Sequence, residues 1–352
     1  MNHSTKWQAP ASWFTGEGPD ADVIISSRVR LARNISGYKF PPAMDAEERR
    51  AVIAALDQAV SAAGENVLGA GHARVFLDSL RDRPRLVERN LVPSARSGHK
   101  PDVLYINTTE TAGILVNGGD HLRIFGLGPG RRLGELRRTV ESIDRELDRI
   151  LDYAASLDLG FLTSALADVG TGEKASIMIH VPGLAENDAL TGVFGEVRRA
   201  GFGVRGFAHE RNSLGNLYLI ESRSTGPSEG AELDDVAAEL IHYERRARNE
   251  ILDSKRDELE QRLARAIGAL RFSRRIDGQT VIPSLGTLRL GLCLGIVDGT
   301  TLGQVTSLFF LAQKFHILDF AGGSVGESDS AAIEQLRAKV ISETLGPVEV
   351  RG

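Results

Sequence analysis

Ser26-Ser27-Arg28-Val29-Arg30-Leu31-Ala32-Arg33-Asn34 is the stretch on which the reading of this chain turns. It follows Val23-Ile24-Ile25, a β-prone run. If Val23 to Arg30 is one strand, side chains alternate between its two faces, and Arg28 and Arg30 point the same way. Strand geometry sets them about 6–7 Å apart, so the pair makes a guanidinium fork for phosphate oxygens. A solvated, charged strand edge has the same spacing, and spacing alone favours that reading.

Three further runs carry similar chemistry. In Asp120-His121-Leu122-Arg123-Ile124, His121 and Arg123 share a face if the segment is a strand. Gly118 and Gly119 precede it, and Asn117-Gly118 is a favoured turn pair, so a hairpin also accounts for the glycines. His121 alone reads more readily as a hydrogen-bonded structural histidine than as a catalyst. In Gly170-Thr171-Gly172-Glu173-Lys174-Ala175-Ser176, two glycines free the backbone to approach a phosphate, with an ammonium nearby. The spacing to Lys174 is not that of a P-loop and no long helix follows. Arg205-Gly206-Phe207-Ala208-His209-Glu210-Arg211, taken alone, is a charged loop.

Around these runs the chain is α+β. Asp102 to Asn107, Ala112 to Asn117, Leu122 to Leu127, Ser176 to Val181 and Leu217 to Glu221 read as strands, the first two joined by Thr108 to Thr111. Glu47 to Ala63 and Leu133 to Ala155 have apolar residues at helical spacing. The texture changes at Ser224 to Gly230, and beyond it nearly everything is helical: Leu259, Leu263, Ile267 and Leu270 form a stripe. Thr301 with Gln304 forms a capping box that opens a helix expected to run to about Phe315. The expected plan is a domain over residues 1–228, an antiparallel sheet flanked by helices, followed by a small helical domain over residues 229–352 whose apolar stripes form a homodimer.

Composition narrows the function classes. Of 352 residues, 42% are hydrophobic and 25% charged, as in a globular protein, and the net charge of -5 calls for neither nucleic acid nor an anionic membrane. Any anion site must therefore be built from local basic clusters. Cys293 is the one cysteine, so no disulfide forms within the chain; its apolar setting predicts a buried, inert thiol. Met1 to Gly18 lacks the basic and apolar regions of a signal peptide, and no apolar run reaches the roughly 18 residues of a membrane span, which predicts a cytoplasmic protein.

In order and spacing, the four motifs resemble the nucleotide site of the ATP:guanido phosphotransferase (phosphagen kinase) family. The resemblance spans about Trp13 to Leu345. The short N-terminal segment and helical C-terminal region are more similar to the bacterial protein arginine kinases than to creatine kinases. It implies a glutamine-synthetase-like antiparallel sheet, ATP with its Mg²⁺, and arginine-containing protein substrates. It also implies that Ser27, Arg28, Arg30, His121, Arg123, Lys174, Ala175, Ser176, Arg205 and Glu210 surround the nucleotide, with no separate protein metal site. Phosphoryl transfer is mostly positioning and charge stabilisation. The acceptor guanidinium has a pKa of roughly 12.5–13.8 and must be held and deprotonated. The family uses two glutamates for this.

The chain departs from that pattern where the chemistry is done. The family's asparagine-glutamate-glutamate-aspartate-histidine reads Asn117-Gly118-Gly119-Asp120-His121, so Gly119 stands where the presumed base belongs. Ala165 replaces the active-site cysteine, Asp168 an asparagine, Lys174 an arginine, His209 a glycine and Asn90 a nucleotide-pocket histidine. The C-terminal arginine-aspartate pair that binds phosphoarginine is absent around Ile333 to Arg337. Three readings follow, one of them a purely structural protein with an empty cleft, against which the retention of Arg28, Arg30, Arg123 and Arg205 argues. The first of the other two is a pseudokinase that binds ATP and serves a regulatory or scaffolding role with a partner protein. The alternative is an active kinase acting on protein arginine or a small guanidino compound, with Glu210 or Asp120 as the substitute carboxylate.

Overall fold

The computed structural model describes residues 13–77, 83–94, 100–207, 213–223 and 229–351. Ten strands and six helices fill the first part of the chain. The strands are β1 (Ile24–Arg33), β2 (Ala73–Phe76), β3 (Val103–Ile106), β4 (Ala112–Val116), β5 (Leu122–Pro129), the short β6 (Ala155–Ser156) and β7 (Gly160–Phe161), β8 (Glu173–His180), β9 (Phe202–Gly206) and β10 (Leu217–Ser222). The helices are α1 (Ala46–Ala63), α2 (Glu65–Leu68), α3 (Arg83–Glu88), α4 (Leu133–Asp148), α5 (Pro182–Glu186) and α6 (Leu190–Arg199). There follow α7 (Glu229–Ser254), α8 (Arg256–Phe272), α9 (Gly278–Cys293), α10 (Leu302–Leu311), α11 (Lys314–Phe320) and α12 (Ser330–Leu345), with a small ribbon of β11 (Val297–Asp298) and β12 (Glu349–Val350).

Eight strands make one sheet in the order β2-β3-β4-β5-β1-β8-β10-β9, antiparallel at every junction. β1 lies near the middle because its residues alternate: Val29 and Leu31 enter the core beneath the sheet, while Arg28 and Arg30 face the other way. Beneath the sheet, Val140, Ile143 and Leu147 of α4 and Val52 and Leu56 of α1 close the first core. On the upper side, Leu104, Leu115, Leu127 and Met178 join a second core with Trp13, Phe14 and the C-terminal helices. The expected boundary near residue 228 falls outside the described residues. α7 contributes Leu233, Ala237, Leu240, Ile241 and Ala247 to the first core and Ile251 to the second.

Two helices end earlier than their periodicity predicts, each because of a distant partner. α4 stops at Asp148 rather than Ala155, since the chain beyond it pairs with the end of β1: Ser36 N donates to Asp152 O (2.7 Å) and Ala154 N to Asn34 O (2.8 Å). α10 opens with the expected Thr301–Gln304 capping box but stops at Leu311, and α11 restarts at Lys314. Glu88 of α3 accepts from Phe315 N (2.9 Å) and His316 N (3.1 Å), capping the new first turn from 227 residues away. Leu259, Leu263, Ile267 and Leu270 are buried in the chain's own second core, so that stripe is consumed internally. Cys293 is half-buried, not buried as expected, with its thiol 3.7 Å from Asp22 O.

Buried polar contacts tie the helical part to the sheet. Arg289 of α9 donates to Asp22 O (2.8 Å), Ala21 O and Thr306 Oγ1 (3.2 Å), and meets His180 Nδ1 of β8 at 3.0 Å. Arg248 of α7 donates to Asp22 O and His180 O, both at 3.0 Å. Burial first, then the charges of Arg289 and Arg248, holds His180 well below its ordinary value of 6.5. The unfolded chain takes up a proton on this ring near pH 6.5 and the folded chain excludes it. Stability is therefore full above pH 6.5 and is lost as the pH falls below it, by about 1.4 kcal/mol per pH unit for one such group. Urea denaturation between pH 7.5 and 5.5 is expected to show this slope flattened in His180→Asn.

Candidate anion-binding site

The register of the sheet assembles the basic residues. Arg28 lies opposite Ser176 of β8, Arg30 opposite Lys174, and Ala32 opposite Arg123 of β5. Ser176 in turn faces Glu221 of β10, and Leu219 faces Arg205 of β9. Arg28, Arg30, Arg123, Lys174, Ser176, Arg205 and Glu221 thus share one face across five strands. Among the described residues this face sets five cations against three carboxylates, those of Asp120, Asp168 and Glu221.

Three of the five pair with carboxylates, Lys174 with Asp168, Arg123 with Asp120 and Arg205 with Glu221, whereas among the described residues Arg28 and Arg30 pair with none. Arg28 lies with its guanidinium carbon 4.8 Å from the Phe125 ring centre and donates from Nη1 to Asn90 O at 2.6 Å. Its Nε is buried with no hydrogen-bond partner. Among the described residues the Arg30 side chain makes no hydrogen bond or ion pair. Burial first, then repulsion from Arg30, Arg123 and Arg205, pushes Arg28 down to about 9. Burial and Arg123 push Arg30 down to about 10, with Glu221 and Asp168 acting in the opposite sense. Guanidinium groups that repel one another in a partly desolvated recess are stabilised by an incoming anion. A polyphosphate fits this arrangement.

The remaining expected residues are placed differently. Ser27 points to the opposite side of β1, where its buried hydroxyl donates to Gly130 O (2.7 Å) and accepts from Arg132 N (3.1 Å). Ala175 likewise faces the first core, and its backbone N donates to Ser222 Oγ (3.0 Å). His121 is buried with both ring nitrogens engaged: Nδ1 accepts from Ile35 N (2.9 Å), and Nε2 is 2.9 Å from Lys39 O. Those partners fix a neutral ring with its proton on Nε2, and burial holds its pKa below the ordinary value. Both ring nitrogens are thus taken up by backbone partners within the chain.

Asp120 is also committed. Its Oδ1 accepts from Asn34 Nδ2 (2.9 Å) and Ser164 N (2.7 Å), and its Oδ2 lies 3.7 Å from Arg123 Nη2. It positions Arg123 and the Ser164 segment. The adjoining loop 117–121 is braced from outside. Asn117, at φ 55°, donates to Asp102 Oδ2 (2.9 Å), while Arg49 grips Asp102 through two nitrogens and also bonds Asn117 O (3.0 Å). Gly119 sits buried inside this braced loop, outside the left-handed backbone region. Lys174 pairs with buried Asp168, which ends a single 3-10 turn at Leu166–Asp168. Gly172, at φ +67°, belongs to a close backbone approach, since a Cβ there would stand 2.5 Å from Ala32 O. Glu210 and His209 lie outside the described residues.

Sequence reasoning missed Glu221, which belongs to no motif; only the alternation of Leu217 to Glu221 could have placed it on the arginine face. It also missed Asn34, whose amide links Asp120 to Leu162 O (3.0 Å).

Comparison with known proteins places the chain in a family. Residues 77–247 match the family described as ATP:guanido phosphotransferase, C-terminal catalytic domain, and residues 256–351 match the protein-arginine kinase McsB C-terminal domain. Among solved structures, lombricine kinase superposes with a TM-score of 0.52 at 19% identity, covering 66% of this chain and 68% of that one. The duplicated taurocyamine kinase from Schistosoma mansoni with bound transition-state-analogue components gives 0.53 at 21%, covering 76% of this chain and 38% of that one. These likenesses speak for the fold: a phosphagen-kinase sheet, the class to which superposition and sequence match both assign the chain. The protein-arginine kinase of Bacillus licheniformis is 32% identical over 345 residues, 96% of this chain and 94% of its own. That of Pelotomaculum thermopropionicum is 34% identical over 322 residues, 89% and 90%. Within its class, then, the chain belongs to the protein-arginine kinase family. No helix among the described residues is long and apolar enough to cross a membrane.

Proposed function

We propose that this protein binds ATP with its Mg²⁺ on the arginine face but is impaired in transferring the phosphoryl group, and that it acts as a regulatory or scaffolding pseudokinase in the cytoplasm. The observation that carries the binding half is the set Arg28, Arg30, Arg123 and Arg205 on one sheet face, with Arg28 Nε and the Arg30 guanidinium left without partners among the described residues. Arg28, Arg30, Arg123, Lys174 and Arg205 would hold the phosphates. The Mg²⁺ would arrive with the nucleotide and spread its charge.

The transfer half rests on Gly119. A guanidinium attacks only after it is oriented and loses a proton, and general-base catalysis is worth roughly 10²–10⁴-fold. The alternative of an active kinase on arginine side chains or small guanidino compounds needs a replacement carboxylate. Asp120 is poorly suited, because Asn34 and Ser164 already occupy its Oδ1. Calorimetry with Mg-ATP, paired with detection of phosphoarginine on an arginine-rich protein, tests both halves. Binding without transfer is the expected result, and ready transfer that depends on Glu210 rejects the pseudokinase reading. The helical residues 229–352 are further proposed to dimerise; a strictly monomeric mass at micromolar concentration rejects that.

A further inference from the structure

Glu221 gives the arginine face a feature that phosphate binding alone does not call for. Its carboxylate lies side-on to the Arg205 fork, with Oε1 3.4 Å from Nε and Oε2 3.5 Å from Nη2. Both distances exceed the ~2.7–2.9 Å of a charge-assisted hydrogen bond. Both side chains stay open to solvent, Glu221 at 33% and Arg205 at 39%. The other two carboxylates of the face are committed: Asp120 to Asn34 and Ser164, and Asp168 to Lys174. Among the described residues Glu221 is therefore the loosely held carboxylate of this face, standing opposite Ser176 and two strands from Arg28.

An anion that reaches Arg205 must come up against this carboxylate. A metal-free polyphosphate brings like charge to it and has to displace it from the fork. A magnesium-loaded polyphosphate carries less negative charge and presents a cation that takes oxygen ligands. Mg²⁺ is commonly held through one or two carboxylates together with substrate phosphates, keeping several of its waters. Among the described residues no group of three or more His, Cys, Asp or Glu side chains could hold a metal by itself.

We infer that Glu221 makes this face select the magnesium-loaded polyphosphate over the metal-free one. The inference rests on the reading that the arginine face binds ATP. It is tested by calorimetric titration of the full chain with ATP in excess Mg²⁺ and with ATP in EDTA, for wild type, Glu221→Gln and Glu221→Asp. Wild type is expected to prefer the magnesium form by at least ~10-fold, a ratio corresponding to one decade of Kd. Glu221→Gln is expected to bring the ratio close to one, mainly by tightening metal-free ATP, while Glu221→Asp keeps a preference. Circular dichroism checks that each variant is folded. A wild-type ratio near one, or the same ratio in wild type and Glu221→Gln, overturns the inference and leaves the ATP-binding reading standing. Failure of wild type to bind either form overturns both.

Discussion

Arg30→Met is expected to weaken Mg-ATP binding by roughly 10- to 150-fold, the equivalent of losing about 1.5–3 kcal/mol from hydrogen bonds to a charged group. Arg30 suits this measurement because it has no protein partner among the described residues, so its removal strands no buried group. Its guanidinium stands opposite Lys174 and feels the charge of Arg123, near the middle of the basic cluster. Methionine keeps much of the side-chain length, so the fold should tolerate the change. Arg28→Met should weaken binding as well, but it also strands Asn90 O, which Arg28 Nη1 now satisfies at 2.6 Å, so its effect mixes binding with stability. An Arg30→Met variant that binds Mg-ATP as wild type does would remove the arginine face from the account.

The second large effect is a gain. Gly119→Glu is expected to raise phosphoarginine formation by roughly 10²–10⁴-fold over wild type, the usual value of a positioned general base. Gly119 does not use the left-handed backbone region that would forbid a side chain. The loop around it is already fixed by the Asn117–Asp102–Arg49 contacts, so a carboxylate introduced there inherits a rigid support. Gly119→Gln is the control, having the same shape without a base, and should show no gain. Equal activity in wild type, Gly119→Glu and Gly119→Gln would mean that the missing carboxylate is not what limits transfer.

The site was legible in the sequence to the extent that strand alternation governs it. Arg28 and Arg30 share a face because they are two residues apart in β1, and register carries the same face onto Arg123, Lys174 and Ser176. The same alternation sends Ser27 and Ala175 to the opposite side, although motif matching groups them with their neighbours. His121 and Asp120 could not be assigned from their types, because their roles depend on which of Ile35, Lys39, Asn34 and Ser164 reach them. Helix starts were readable where a cap is local, as at Thr301 with Gln304. Helix ends were not, because Asn34 and Glu88 impose them from far along the chain. Glu221 was invisible for a simpler reason. An isolated acidic residue at a strand end carries no motif, and its meaning comes only from the arginine beside it.

The central claim, that the arginine face binds ATP and does so independently of Gly119, is tested most directly by titrating Mg-ATP into wild type, Arg30→Met and Gly119→Glu under one set of conditions. The account predicts saturable binding of similar strength in wild type and Gly119→Glu, and greatly weakened binding in Arg30→Met. Equal binding in all three, or none in wild type, would contradict it.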